Sequence, residues 1–125
     1  MTSTTPSRQE LVSFLETRFT CAQACTDCAR AAALRASQAA PDGTVNREFV
    51  RRKGIMCAEV CDATCRVLGE ETGVDEDGLR VQLEWCRTVC LEYAAALAGV
   101  PGAEGTAERC HACAAACTDF LDMLG

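Results

Sequence analysis

The chain is poor in aromatics, proline and histidine: its 125 residues are 5% aromatic and include three prolines and a single histidine. Few prolines leave long stretches free to remain helical. One histidine leaves no nucleophile–base pair on which catalysis of that kind could rest, so no enzymatic role is expected. No apolar run approaches the roughly 18 residues of a membrane span. Residues 1–20 carry Arg8, Glu10, Glu16 and Arg18, with no apolar stretch of export-signal length. A basic excess is also missing: the net charge is −6 and the pI about 4.7, which argues against nucleic acid as a partner. The expected location is cytoplasmic, a reducing compartment where cysteine patterns read as metal-binding more often than as disulfides.

What the chain does have is eleven cysteines, an odd number that fits a disulfide framework poorly. They fall in four clusters: Cys21, Cys25 and Cys28; Cys57, Cys61 and Cys65; Cys86 and Cys90; Cys110, Cys113 and Cys117. Spacings of three and four put the sulfurs of a cluster on one face of a helix, since a helix turns once in about 3.6 residues.

The rest of the sequence supplies the helices. Residues 1–6 are polar and read as a frayed start to a single domain spanning 1–125. Ser7 and Glu10 form a capping box, so the first helix is expected over about 8–39, with Leu11, Phe14, Arg18, Cys21, Cys25, Cys28 and Ala32 on one stripe. Pro41-Asp42-Gly43 marks a turn. A second helix is expected over about 45–72, capped by Thr44 or Asn46 and stopped by Gly73, with Val50, Gly54, the three cysteines and Leu68 inward. A third, over about 76–98 and capped by Asp75 or Asp77, directs Leu79, Leu83, Cys86, Cys90 and Leu97 inward. Pro101 and its flanking glycines break the chain, and Thr106 is read as the cap of a fourth helix over about 106–124, with Phe120, Leu121 and Leu124 inward. Trp85 and Tyr93 are read as packing on outer faces or at a subunit contact.

Short connections imply an all-α, antiparallel up-down-up-down four-helix bundle with a cysteine-lined core. The cysteine register supports this independently. Cys28 lies 14 residues before Asp42 and Cys57 lies 15 after it; Cys61 and Cys86 are 13 and 12 residues from Val74; Cys90 and Cys113 are 12 and 11 from Gly102. Closing each hairpin therefore brings thiol level with thiol, Cys21 with Cys65 among them. Leu11, Phe14, Leu15, Leu68, Leu79, Leu83, Phe120, Leu121 and Leu124 gather at the end holding the Val74 turn and form an apolar plug. The other end carries Cys110, His111 and Met56, and metal is expected to enter there.

Thiolates are soft ligands, and a column of them in a water-poor interior suits multiple Cu(I) ions, approaching about one per cysteine if sulfurs bridge. His111 is read as a nitrogen ligand that accepts copper and passes it inward. Met56 is a lesser ligand candidate, with core packing preferred, and Asp62 and Asp27 are hard carboxylates expected to stay solvated. Two other readings remain: a zinc or general thiophilic-metal buffer using tetrahedral all-cysteine sites, and a redox sensor in which oxidation locks the helices.

The segments Cys57-Ala-Glu-Val-Cys61 and Cys110-His-Ala-Cys113-Ala-Ala-Ala-Cys117, with the first cluster, resemble the bacterial copper storage proteins, and most of all their cytosolic branch. The resemblance runs from about Thr20 to Phe120. It implies a four-helix bundle that stores or sequesters many Cu(I) ions, assembly into a homotetramer, and a copper chaperone as a possible donor. Two departures stand out. The third helix has only two cysteines and the first only three, which lowers the implied capacity. The family's mouth is often richer in histidine, whereas Ala107 lies one turn before His111, where a second histidine would suit; uptake slower than in an Ala107→His variant is the expectation.

Overall fold

In a computed structural model, residues 7–38, 45–69 and 75–124 are described. They form four helices: α1 (Arg8–Gln38), α2 (Val45–Gly69), α3 (Glu76–Ala96) and α4 (Glu104–Leu124). Each packs along two neighbours, in the ring α1–α2–α3–α4, so the molecule is an antiparallel four-helix bundle. Its longest helix has 31 residues and extends about 46 Å at about 1.5 Å per residue.

The capping box at the start of α1 is formed: the Glu10 amide donates to Ser7 Oγ at 3.0 Å and the Ser7 amide to Glu10 Oε2 at 3.4 Å. Of the two aspartates offered for α3, Asp75 caps it, its carboxylate accepting from the Asp77 amide at 3.3 Å. Asn46 lies inside α2, and Thr44 and Gly73 lie outside the described residues. The fourth helix starts earlier than its sequence suggests. The Ala103 carbonyl already accepts from the Ala107 amide at 2.9 Å, which leaves Thr106 in the first turn and not at the cap. Between α3 and α4 the chain reverses through Gly99 and Gly102, with φ of 78° and 79°, a left-handed backbone that glycine adopts without steric cost.

The two ends of the bundle close differently. Around the α3 start and α4 end, Leu68, Leu79, Leu83, Phe120 and Leu121 are buried, and Phe14 packs on Phe120 with ring centroids 5.2 Å apart. Each such side chain contributes about 1.5–3 kcal/mol by leaving water. Leu11 and Leu15 do not join this plug: they are 51% and 44% exposed, near the start of the longest helix. Arg18, which interrupts the α1 stripe, turns its guanidinium across to α2, where Nε donates to the Leu68 carbonyl at 2.8 Å. A cation thus meets the negative end of the α2 dipole.

At the opposite end Tyr93 is only 1% exposed and sits among the core side chains, not on an outer face or at a subunit contact as the sequence reading had it. It falls three residues after Cys90 and four before Leu97, on the same inward stripe. Gly54 on α2 gives it space, since any side chain there would meet the tyrosine ring. Trp85 is half-exposed.

Candidate metal centre

Ten of the eleven thiols are buried and all eleven are free. Those of Cys21, Cys25, Cys28, Cys57, Cys61, Cys86, Cys90, Cys110, Cys113 and Cys117 are wholly inaccessible. Each helix supplies them from its inward stripe, so they stack along the bundle axis.

Three groups of sulfurs lie close enough to share an ion. Toward the plug are Cys25, Cys86, Cys113 and Cys117; in the middle Cys28, Cys61, Cys90 and Cys113; toward the Tyr93 end Cys28, Cys57 and Cys110. Cys113 belongs to the first two groups and Cys28 to the last two, so the groups run into one another. Sulfur–sulfur distances along the column include 3.6 Å for Cys25–Cys113, 3.8 Å for Cys86–Cys113, 3.4 Å for Cys61–Cys90 and 3.7 Å for both Cys28–Cys57 and Cys28–Cys110. The register inferred around Val74 holds: Cys86 meets Cys61 at 3.7 Å and Cys90 meets Cys57 at 3.9 Å. Cys21 extends the column beyond the first group through Cys117, 3.8 Å away.

Cys65 is the exception. It is half-buried, and its sulfur contacts the Thr26 hydroxyl at 2.9 Å rather than Cys21. Spacing explains this. At about 100° per residue, two successive steps of four carry Cys65 about 80° round from Cys57, whereas a four–three step returns to within about 20°. The position that stays in line is Thr64, which is fully buried, donates to the Val60 carbonyl at 2.7 Å and accepts from Gln82 at 2.9 Å. The other three clusters avoid the double step of four.

The other ligand candidates stand apart from the thiols. His111 is exposed and belongs to none of the three groups. Met56 is 48% exposed, which also removes it from the core where packing was preferred. Asp62 is exposed and pairs with Arg66 at 3.2 Å, and Asp27 accepts from Gln23 at 2.9 Å; both carboxylates are solvated. Ala107 is half-buried against the core.

The sulfurs differ in proton affinity, because each ionised thiol in contact with S–H donors is stabilised at its neighbours' expense. Hydrogen bonding led by Cys110 holds Cys28 well below the ordinary thiol range, and hydrogen bonding led by Cys113 does the same for Cys86. Cys25, Cys61, Cys90 and Cys117 are pushed up, chiefly by Cys113, and Cys110 is pushed up by Cys28. Cys21 falls to about 5, mainly through Cys117, and Cys57 to about 6, mainly through Cys110. Without metal, such a column holds only a few negative charges; soft cations are what would let more of its thiols ionise together.

Tyr93 is the residue that the sequence reading missed. Burial raises its phenol to about 12, while Arg35 on one side and Cys110, Cys57 and Cys28 on the other act on it electrostatically. It is therefore within electrostatic reach of both the topmost thiols and Arg35 in the last turn of α1.

A helical bundle whose interior is filled with free thiols in continuous contact is a container for thiophilic metal. The copper storage protein profile matches residues 7–122, and the chain belongs to that family. Three solved structures from Streptomyces lividans are similar to it. A histidine-to-alanine variant of the protein Ccsp shares 33% identity, with a TM-score of 0.80 over 88% of this chain and 96% of that one. A cytosolic copper storage protein carrying five coppers shares 31%, with the same TM-score and coverage. Ccsp loaded with 10 copper equivalents shares 31%, with a TM-score of 0.59 over 95% of this chain and 93% of that one. No curated protein sequence matches significantly.

Proposed function

We propose that this protein stores multiple Cu(I) ions in the cytoplasm, on the thiolates of its bundle core, without catalysing a reaction. The observation that carries this reading is the run of nine buried thiols in three groups joined through Cys28 and Cys113. Zinc would need one isolated quartet; a sensor would need one reactive pair. A continuous column exceeds both needs and suits ions bridged sulfur to sulfur. The ligands in this reading are those nine cysteines with Cys21 beyond them and Cys65 as an outlier, while His111 receives copper at the outer surface and Met56 and Asp62 take no part.

Copper enters at the Cys110 and His111 end, since the other end is closed by Leu and Phe side chains. A homotetramer fed by a copper chaperone fits the family membership. The exposed apolar side chains Leu11, Leu15 and Phe19 on α1 offer a face for such assembly.

Anaerobic titration of the reduced protein with Cu(I) against a competing chelator tests the reading. Uptake on the order of one ion per column thiol supports it. Saturation at one or two equivalents, or tight zinc uptake with weak copper uptake, overturns it.

A further inference from the structure

Cys28, Cys57, Cys90 and Cys110, one thiol from each helix, form the layer of the column nearest the α3–α4 turn. Cys28 lies 3.7 Å from Cys57, 3.8 Å from Cys90 and 3.7 Å from Cys110, and Cys57 lies 3.9 Å from Cys90. A helical turn takes three or four residues. One turn beyond this layer, away from the Leu and Phe plug, α1 presents Ala32, α2 Gly54, α3 Tyr93 and α4 Ala107. All four lie among the described residues. Ala32 and Gly54 are buried, Tyr93 is buried too, and Ala107 is half-buried against the core.

Three of these four side chains are a hydrogen or a methyl group. They fill little of the cross-section that four thiols occupy in the layer below, and folded interiors leave few voids. The fourth is a phenol, and its ring reaches across from α3 to α2: a Cβ on Gly54 would stand 2.8 Å from Cζ of Tyr93. Tyr93 is therefore the one side chain of the layer long enough to roof the thiols beneath it. Closure at the other end is shared among Leu68, Leu79, Leu83, Phe14 and Phe120. Moving one of those leaves the rest in place, whereas moving Tyr93 leaves two alanines and a glycine.

We propose that Tyr93 is the gate of the store: its ring leaves this layer when an ion reaches or quits the Cys28, Cys57, Cys90 and Cys110 thiols, and that displacement sets the rate of exchange. Ala107, the most exposed of the four, marks the side on which the ion passes. This rests on the storage reading and adds the step that limits it. A gate sets a barrier and not an affinity, so it acts on arrival and departure alike and leaves capacity unchanged.

The test uses the whole reduced protein under anaerobic conditions, with Cu(I) supplied by one chelator and later withdrawn by an excess of the same chelator. Tyr93→Ala should quicken both steps by a common factor of about tenfold, with affinity and capacity kept. Tyr93→Leu keeps more of the buried apolar volume and should quicken both by less; it carries the test if Tyr93→Ala folds poorly. Tyr93→Phe retains the ring and should exchange copper as the unaltered protein does. Leu79→Ala hollows the plug, controls for general loosening and should quicken neither step. Rates indifferent to both Tyr93→Ala and Tyr93→Leu, equal acceleration by Leu79→Ala, a Tyr93→Phe variant as fast as Tyr93→Ala, or faster uptake with altered affinity each overturn the proposal. Chelator-measured capacity of the unaltered protein reports separately on storage, so a full store whose rates ignore Tyr93 rejects the gate alone.

Discussion

A methyl group on Gly54 would lie 2.8 Å from both Cζ and Oη of Tyr93, so the glycine and the tyrosine share one space between α2 and α3. Gly54→Ala therefore trades a helix-propensity gain of about 1 kcal/mol for overpacking that costs about 1–3 kcal/mol. A net loss of up to about 2 kcal/mol in urea unfolding of the metal-free protein is expected. Adding Tyr93→Leu should recover part of it, because the clash is lost with the ring. A double-mutant cycle showing no coupling between the two positions would refute the contact.

Cys65 and Thr64 give a prediction about capacity. Because Cys65 faces Thr26, Cys65→Ser should lower Cu(I) capacity by about one ion at most. Cys113→Ser removes a sulfur shared by two groups and should lower it by more. Exchanging the two residues, as Thr64→Cys with Cys65→Thr, puts a thiol in line with Cys57 and Cys61 and should raise capacity above that of Cys65→Ser. Chelator competition with the reduced proteins measures all three.

The contact from Arg18 to the end of α2 is a charged hydrogen bond to a carbonyl, worth about 1.5–3 kcal/mol. Arg18→Ala should reduce stability by about that amount, with the early loss of amide protection concentrated around Leu68. Arg18→Lys should restore part of it. Protection unchanged in α2 would remove this role.

Acid should weaken copper binding. The ligands are thiolates, and Cys25, Cys61, Cys90, Cys110 and Cys117 hold their protons more tightly than a free thiol. Each must lose a proton before it binds, so as pH falls more of the binding energy is spent on removing protons. Affinity measured against a chelator of known pH dependence should fall between pH 8 and pH 6, with proton release on loading visible in weakly buffered solution. Binding without proton release would mean that thiols are not the ligands.

Ala107→His should speed copper uptake without changing final capacity. The position is half-buried one turn before the exposed His111 and adds a nitrogen outside the thiol groups. Stopped-flow loading of the two proteins with the same carrier is the measurement, and equal rates would show that a second histidine does nothing here.

Much of this was legible in the sequence, because thiol spacing and helix period are the same number. Counting outward from each turn paired Cys28 with Cys57 and Cys61 with Cys86, and their sulfurs meet at 3.7 Å. The same counting put Cys21 level with Cys65 and failed, since it tracks height along the axis and ignores rotation about it. Rotation decides where a side chain points, and a second step of four turns Cys65 out of line. Tyr93 was overlooked because a lone tyrosine with a polar tip reads as a surface residue; its place between Cys90 and Leu97 was the available signal, with Gly54 as the matching gap. Leu11 and Leu15 were placed inside by the same count along the bundle, with Leu11 also on the α1 stripe, and height along the axis does not say whether other helices cover a given turn.

The contacts among the sulfurs bear on how the store would fail. Cys28 touches Cys57, Cys90 and Cys110, and Cys86 touches Cys25, Cys61 and Cys113. This is a mesh and not a wire. When oxidation disables one sulfur, an ion beside it still has other partners within one exchange step, and its path is rerouted instead of cut. Damage to such a mesh subtracts holding power piece by piece, so a partly oxidised molecule remains a smaller working store.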